Sequence, residues 1–237
     1  PSSAASDVYK RQITGLSRVT VSQAIQSLLN QKVLIENEGS TSDGGRKASS
    51  LSLNKNAGYI GIVYFSATLM QVAISNLQGE IHESKTTKIS IEDGPKNILS
   101  ESIMQIKAML QTIPRNKQLG IVIGVPGPVS QNAGKVVSPP IMQGWDKVNF
   151  KEDFQKALGL SVCLENDANL LTIAESRLVY PSIENLLLVK IATGIGSGMI
   201  LNGRLHRGSE GSAGDIGHMQ LDLSLIHISE PTRLRRI

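Results

Sequence analysis

A change of pattern partway along the chain constrains the fold most strongly. Three strand-like segments come first, Tyr59–Phe65, Met70–Asn76 and Ile81–Ile89, and short turns separate them. Amphipathic helical segments then alternate with apolar strand-like segments as far as residue 201. A meander of strands that is followed by alternating helices and strands predicts an α/β domain with a mixed sheet.

The elements after the meander follow from the periodicity of their apolar residues. The predicted helices are Asn97–Thr112, Phe150–Leu158 and Ala168–Val179. The predicted strands are Leu119–Val125, Val162–Glu165, Asn185–Ala192 and Gly198–Leu201. Leu119–Val125 and Asn185–Ala192 are apolar enough for us to expect them to be buried.

Size and composition exclude several classes of protein. The 237 residues suffice for one large domain or two smaller ones. No apolar run approaches the roughly 20 residues of a membrane-spanning helix, so no membrane association is predicted. The single cysteine, Cys163, excludes a disulfide framework within the chain. Nothing resembles a signal peptide, and the predicted location is the cytoplasm.

The net charge of +4 is unevenly distributed. Residues 13–55 contain five basic and three acidic residues, whereas residues 56–222 contain fourteen basic and fifteen acidic ones. A small basic module before a larger neutral one fits a DNA-binding unit attached to a sensor. Five scattered bases on a solvated face would give the same total, so charge alone does not decide.

The two ends of the chain differ in character from the sequence between them. Residues 1–12 (PSSAASDVYKRQ) and about 223–237 (LSLIHISEPTRLRRI) resemble translated sequencing-adapter read-through. We interpret both as non-native tails and exclude them from the fold prediction. A native disordered N-terminus with a short amphipathic C-terminal segment is the alternative.

Residues 13–55 have the pattern of a truncated winged helix-turn-helix. Gly15 permits a tight turn and Ser17 is placed to cap a helix over Val19–Asn30. Two strand-like segments follow, Val33–Glu36 and Ala48–Leu53, and a glycine-rich loop separates them. The helix has an apolar stripe of Val21, Ala24, Ile25, Leu28 and Leu29.

This segment contains the candidate DNA-binding residues. A polar helix face after a tight turn suits the major groove, and Ser17, Arg18, Thr20 and Gln23 lie there. Arg46 and Lys47, at the tip of the loop, suit phosphates or the minor groove. Alternatively, the helix and hairpin pack on the larger domain and bind no DNA.

Five further motifs occur in a fixed order. They are GVPGPV (Gly124–Val129), Gly144-Trp145, ENDAN (Glu165–Asn169), ATGIGSG (Ala192–Gly198) and GDIGH (Gly214–His218). Together with TGLSRVTVSQAIQSLLNQ and GGRK, they resemble the ROK family, which combines sugar-responsive repressors with sugar kinases. The resemblance extends from about Thr14 to Asp222. It implies an actin-like fold of two RNase H-like lobes over residues 56–222, with the C-terminal lobe incomplete and a sugar in the cleft.

The resemblance also implies a set of sugar-binding residues. Asn166, Asp167, Asp215 and His218 match the sugar contacts of the family, and the aspartate at the place of Asp167 is the catalytic base of its kinases. A base must lie within hydrogen-bond reach of the attacking hydroxyl. Asp215 replaces the more common glutamate, which shortens its reach. Asn166-Asp167 also fits helix capping, and the two roles are compatible.

The phosphate loops separate regulators from kinases. Family kinases begin with Asp-x-Gly-x-Thr, whereas this chain has Tyr64-Phe65-Ser66-Ala67-Thr68, without the magnesium-binding carboxylate and without the first glycine. The remaining phosphate-loop-like positions are Thr68, Gly124, Gly127, Thr193, Gly194, Gly196 and Gly198. We therefore predict that the chain is not a competent kinase, and that ATP and magnesium matter only if it is one.

Zinc is a further expectation that the resemblance raises. In the family, the histidine at the place of His218 often begins a zinc site that three downstream cysteines complete, and those cysteines are absent here. One histidine cannot hold a structural zinc, so we expect no metal in this chain, although a complete parent could bind it. We expect Cys163 to be a small buried apolar residue.

The overall prediction is a fragment of a sugar-responsive transcriptional regulator of carbohydrate metabolism. Its expected partners are operator DNA, a small sugar effector and, in an intact parent, a second copy of itself. One alternative is an ATP-dependent, glucokinase-like sugar kinase that uses Asp167 as its base. Another is a sugar-binding protein that does not read DNA.

Overall fold

A computed structural model describes residues 15–37, 50–137, 142–208 and 211–218. Both predicted tails lie outside these ranges. Contacts between Cα atoms divide the chain into two units, 1–59 with 76–80, and 60–75 with 81–237. Across the described ranges, no helix combines the length and the apolar character that crossing a membrane requires.

The first unit contains one helix and one hairpin. Helix α1 spans Arg18–Asn30, and strands β1 (Leu34–Asn37) and β2 (Ser50–Leu53) pair antiparallel. Ser17 is the N-cap, because its Oγ accepts a hydrogen bond from the Thr20 amide at 3.2 Å. Gly15, with φ +66°, makes the preceding turn. The predicted helix and hairpin are confirmed, and the helix begins one residue earlier than expected.

The apolar stripe of α1 is only partly covered. Val21, Ile25 and Leu29 are half-buried, whereas Ala24 and Leu28 are exposed. No residue of this helix is fully buried among the described residues. Among the described residues, this helix packs against strand β1 of the hairpin.

The second unit contains the remaining elements. Its strands are β3 (Tyr59–Phe65), β4 (Leu69–Asn76), β5 (Ile81–Lys88), β6 (Gln118–Val125), β7 (Val129–Ser130), β8 (Lys135–Val136), β9 (Val162–Asn166), β10 (Leu186–Ile191), β11 (Ile195–Leu201) and β12 (Arg204–Leu205). Its helices are α2 (Pro95–Leu110), α3 (Phe150–Leu158) and α4 (Asp167–Ala174). The predicted helices and strands of this unit therefore follow one another in the predicted order.

The main sheet is mixed, as the sequence predicts. Its five strands lie in the order β5-β4-β3-β6-β9. Strands β4 and β5 are antiparallel, whereas β6 and β9 are parallel, with Gly124 opposite Glu165 and Val125 opposite Asn166. This pairing brings the end of β6, where the GVPGPV motif begins, beside the ENDAN segment.

Aromatic side chains fill the core beside this sheet. Trp145 is fully buried and stacks on Phe150, with ring centroids 5.6 Å apart, and lies 5.5 Å from Phe65. Its Nε1–H donates to the Ile91 carbonyl at 2.9 Å, so the buried indole has a partner. Gly144, with φ +79°, precedes it. The Gly144-Trp145 pair therefore has a clear structural role.

The structure shortens one predicted helix. The sequence predicts Ala168–Val179, whereas α4 ends at Ala174 and continues as a single π-helical turn over Glu175–Val179. In that turn the Tyr180 amide donates to the Glu175 carbonyl at 2.9 Å, five residues back. The apolar pattern does not distinguish this wider turn from continued α-helix.

The smaller sheet differs from the prediction of a fully buried strand. Strand β10 alternates, and Leu187, Val189 and Ile191 are exposed. Helix α4 packs on the opposite face of this sheet, and no described element covers the face that carries these three side chains. The sequence predicts that the next strand begins at Gly198, whereas β11 begins at Ile195. Only a tight turn therefore separates β10 from β11, and in it the Ala192 amide donates to the Gly194 carbonyl at 2.9 Å.

Candidate functional site

A cavity of about 330 Å³ lies in the second unit, where β9 ends and α4 begins. Its walls come from four places along the sequence, namely the end of β3, the β6–β7 connection, the β10–β11 turn and the segment after β12. Its volume is in the range of small-molecule sites. The charged side chains among the described residues that line it are Asp167, Lys190 and Asp215.

Asn166 joins β9 to α4 at the floor of this cavity. Its Oδ1 accepts hydrogen bonds from the amides of Ala168 (2.9 Å) and Asn169 (3.1 Å), which makes it the N-cap of α4. Its Nδ2 donates to the Gly127 carbonyl at 3.0 Å. The predicted capping role is confirmed. One N–H of this amide remains for a ligand, whereas both lone pairs of Oδ1 are already used.

Asp167 lines the cavity with one oxygen bound to a lysine. The Lys190 ammonium donates a hydrogen bond to Asp167 Oδ2, and the two side chains are 26% and 9% exposed. Burial lowers the pKa of Lys190, but the hydrogen bond and charge of Asp167, with a smaller contribution from Tyr64, outweigh it and raise the pKa above its usual value. Lys190 therefore carries its charge at neutral pH.

Tyr64 and Ser66 line the same cavity from β3 and the turn after it. Ser66 Oγ accepts from the amides of Thr68 (3.3 Å) and Leu69 (3.1 Å), so this serine organises the turn into β4. Thr68 itself is exposed in that turn. The segment that replaces Asp-x-Gly-x-Thr thus places a phenol and a hydroxyl at the wall of the cavity.

Three of the four predicted sugar residues meet here. Asp215 lines the cavity with Asn166 and Asp167. His218 belongs to the short 3-10 turn Ile216–His218, and its side chain lies outside the described part of the structure. The sequence therefore placed three side chains from two distant motifs at one site.

The predicted phosphate-loop positions separate into two groups. Gly127, Thr193, Gly194 and Gly196 line the cavity. Gly198 belongs to β11 and packs against α4, because a Cβ there would lie 2.1 Å from Thr172 Oγ1.

Gly124 has a similar packing role in β6. A Cβ at this position would lie 2.9 Å from Leu170 Cδ1 and 3.1 Å from the ring of Tyr64. These distances are shorter than ordinary van der Waals contacts, so the absence of a side chain at this glycine eases the close approach of the strand to α4 and β3. Helix packing accounts for this glycine without any phosphate.

Glu165 is a buried centre of hydrogen bonds that sequence reasoning missed. Its side chain is 4% exposed. Oε1 accepts from the Asn166 amide (3.1 Å) and Asn169 Nδ2 (2.9 Å), and Oε2 accepts from Gln131 Nε2 (2.6 Å) and Arg207 Nε (2.8 Å). Every neighbour donates, so the carboxylate is fully satisfied. An acid directly before Asn-Asp was its only signal in the sequence.

The segment after β12 reaches the cavity by close backbone contact with β11. Ser197 donates from its amide (2.9 Å) and from Oγ (2.8 Å) to the Gly214 carbonyl. A Cβ on Gly214 would lie 1.9 Å from the Ser197 carbonyl oxygen, and one on Gly217 would lie 2.3 Å from that of Ile195. These glycines permit the approach that brings Asp215 to the cavity wall.

The expectation for Cys163 is wrong. It lies on β9 beside buried Leu164, but its own side chain is exposed, because successive residues of a strand point to opposite faces. Within the described ranges, no group of three histidine, cysteine or acidic side chains could hold a metal ion. With one cysteine in the sequence, the residues present do not fit the zinc site of the family.

The candidate DNA-binding residues are exposed where the structure describes them. Ser17, Arg18, Thr20 and Gln23 are all exposed on α1, and the hydroxyls of Ser17 and Thr20 lie 2.8 Å apart. Arg46 and Lys47 lie outside the described residues.

The mixed sheet, the smaller antiparallel sheet and the cavity at the carboxyl end of β9 define an actin-like α/β domain of the kind that sugar kinases and related regulators share. The model of the ROK family matches residues 59–232, and the chain belongs to this family. The family and fold predicted from the ordered motifs are confirmed.

Curated relatives include both branches of the family. The chain is 30% identical over 221 residues to a xylose repressor of Bacillus spizizenii, covering 90% of this chain and 56% of the relative. It is 33% identical over 154 residues to a beta-glucoside kinase of Listeria monocytogenes, covering 64% of this chain and 50% of the kinase. The chain spans about half the length of these relatives.

Among solved structures, a ROK family transcriptional regulator described as a homolog of the E. coli MLC protein has the same fold. It superposes with a TM-score of 0.73 at 22% identity, over 92% of this chain and 55% of that one. At this identity, the similarity supports the fold alone.

Proposed function

We propose that this chain is part of a sugar-responsive transcriptional repressor, in which the cavity binds a small sugar and α1 with its hairpin binds operator DNA. The observation that carries the proposal is the Lys190–Asp167 ion pair beside Tyr64. It leaves a cavity with polar side chains for binding, in which one of the two oxygens of the candidate base is already bound to an ammonium group.

The cavity wall suits a neutral, hydroxyl-rich ligand. Asn166 retains an N–H that can donate, the carboxylates of Asp167 and Asp215 accept, and the Ser197 hydroxyl oxygen can accept as well. Sugar hydroxyls likewise donate and accept, and they match such a mixture of groups better than an apolar ligand would.

Two features argue against phosphoryl transfer. A catalytic base must accept a proton from the attacking hydroxyl, and the ammonium of Lys190 occupies Asp167 Oδ2, so only Oδ1 is left to do so. By the family resemblance, Tyr64 takes the place of the magnesium-binding carboxylate of the kinases, and a phenol does not hold the magnesium ion that neutralises phosphate charge.

The N-terminal unit supports the DNA-binding half of the proposal. Arg18 and Gln23 are exposed on a capped helix that is followed by a hairpin, the order found in winged helix-turn-helix modules. The similarity to the xylose repressor covers 90% of this chain, against 64% for the kinase, and so includes sequence that the kinase match leaves out.

Calorimetry on the full chain tests the sugar site. D-xylose and cellobiose, chosen from the names of the relatives, are the first probes, with a neutral polyol as a non-sugar comparison. We expect Asp215→Asn to weaken sugar binding, whereas Asp146→Asn, an exposed carboxylate in another turn, leaves it unchanged. Equal affinity in both variants would contradict the placement of the site.

Electrophoretic mobility shift on selected oligonucleotides tests the DNA interface. We expect Arg18→Ala and Gln23→Ala to weaken binding, whereas Gln31→Ala, at the other end of α1, has little effect. Binding should weaken steeply with salt. Affinity that is indifferent to salt and to Arg18 would refute this half of the proposal. Operator binding that no sugar changes would instead refute the coupling between the sugar and the DNA.

A sugar kinase is the second candidate, because Asp167 lines an open cavity and the beta-glucoside kinase of Listeria monocytogenes is 33% identical. A coupled assay for ADP release with cellobiose and other sugars decides between the two. Turnover that Asp167→Asn abolishes would favour the kinase. We expect no turnover above the rate without sugar.

A further inference from the structure

Arg207 makes two contacts that join separate walls of the cavity. Its guanidinium binds Glu165 Oε2 through Nε and Nη2, both at 2.8 Å. Its backbone carbonyl accepts from the Ala213 amide at 3.1 Å. One residue thus contacts the end of β9 through its side chain and the segment before Asp215 through its backbone.

The Glu165 contact reaches the residues that line the cavity floor. The carboxylate that binds Arg207 also accepts from the Asn166 amide and from Asn169 Nδ2. Because Glu165 is 4% exposed, its charge is largely removed from water and depends on these donors. Loss of the guanidinium would leave a buried charge without its cation and disturb the strand end that presents Asn166.

The Ala213 contact reaches the opposite wall. Ala213 directly precedes Gly214, whose carbonyl is fixed by Ser197, and Asp215 follows. A Cβ on Gly208, the neighbour of Arg207, would lie 3.2 Å from the Ala213 Cβ, so the two stretches of chain are in close contact. The position of Arg207 therefore constrains where Asp215 stands.

We propose that Arg207 is a positioning residue of the sugar cavity, which holds the segment carrying Asp215 in register with Asn166 and Asp167 through the Arg207–Glu165 ion pair. This inference rests on the proposed function, since it assumes that the cavity binds a sugar. Arg207 itself does not contact the ligand in this scheme. Its contribution is to fix the distance between two walls that come from distant parts of the sequence.

The first measurement needs no ligand. Hydrogen exchange of the full chain, followed by mass spectrometry, reports the protection of the amides in residues 211–217. We expect Arg207→Met to lose protection there while peptides from β3 and α2 keep theirs. Arg207→Lys retains the charge but not the forked geometry of the guanidinium, so its amide protection should lie between those of Arg207→Met and the wild type. Arg177→Met is the control, because this exposed arginine donates to the Gly203 carbonyl at 3.2 Å and binds no acidic side chain within the described residues.

The second measurement is sugar affinity by calorimetry. We expect Arg207→Met to weaken binding by about tenfold or more and Arg207→Lys by less. In a Glu165→Gln background the same Arg207→Met change should have little further effect, because the ion pair is already lost. If Arg207 only supported the fold, Arg207→Met would lower thermal stability, but its effect on sugar affinity would not depend on Glu165. Arg207→Lys would then not preserve part of that affinity.

The outcomes separate the two proposals. If the wild type binds no sugar, the proposed function fails, and exchange over 211–217 alone judges the positioning role. If sugar binds and Arg207→Met keeps wild-type affinity, the positioning proposal is wrong while the sugar site stands. Protection that is unchanged in Arg207→Met also overturns it. If Arg207→Met does not fold, the comparison of Arg207→Lys with Arg177→Met decides by the same criteria.

Discussion

Lys190 Nζ donates to Asp167 Oδ2 at the cavity, and so joins the end of β10 to the first turn of α4. The pair is largely shielded, with Asp167 9% exposed. It gives the carboxylate that the sequence predicts as a kinase base a cationic partner.

We expect Lys190→Met to destabilise the fold by about 1–3 kcal/mol at neutral pH, because Asp167 loses a charged hydrogen bond. The pair raises the pKa of Lys190 above its usual value of 10.5. Its stabilisation is therefore fully present below that value and is lost as pH rises through the higher folded-state pKa. Urea unfolding of both proteins from pH 7 into the alkaline range should show their difference shrinking only at the alkaline end. A constant difference would contradict this.

Ser17→Ala should lower the stability of α1 by about 1 kcal/mol, because the Thr20 amide loses its capping oxygen. Ser22→Ala, at an exposed position inside the same helix, is the matched control. The helical signal in circular dichroism during thermal unfolding is the measurement. Equal melting of the two variants would argue against the cap.

Gly198→Ala should destabilise the second unit by about 1–3 kcal/mol, because the new methyl would meet Thr172 Oγ1 at 2.1 Å and the Ala168 carbonyl at 3.0 Å. Gly194→Ala is the control, since a Cβ there meets nothing within 4 Å. Adding Thr172→Ala should restore part of the loss. Denaturant midpoints measure all three, and a Gly194→Ala effect as large as that of Gly198→Ala would refute the packing role.

Asn166→Ser should be less destabilising than Asn166→Ala. Serine keeps an oxygen that can cap α4, which is worth about 1 kcal/mol, and both variants lack the donor to the Gly127 carbonyl. Chemical denaturation of the two variants at pH 7 measures the difference. Identical midpoints would mean that the cap contributes nothing.

Local signals predicted local structure well. The turn at Gly15, the cap at Ser17 and the strand Tyr59–Phe65 each depend on neighbouring residues, and the structure confirms them. The end of α4 at Ala174 and the exposure of Cys163 were missed, because the first needs a wider turn and the second depends on which face of β9 is covered.

The candidate site was only partly predictable. Asn166, Asp167 and Asp215 were found through ordered motifs, and they do line one cavity. Lys190 and Arg207 were missed because their partners lie 23 and 42 residues away, and no periodicity reports such contacts. A lysine within the apolar run of β10 was a usable sign, since a charge rarely lies there without a partner.

Gly214 has a consequence for how this protein can be altered. A Cβ at this position would lie so near the Ser197 carbonyl oxygen that any residue with a side chain would displace the main chain that carries Asp215. The position of the Asp215 carboxylate therefore depends on the absence of a side chain at the preceding residue, Gly214. Engineering a new ligand preference is consequently safest at the acid itself, with the glycine left untouched.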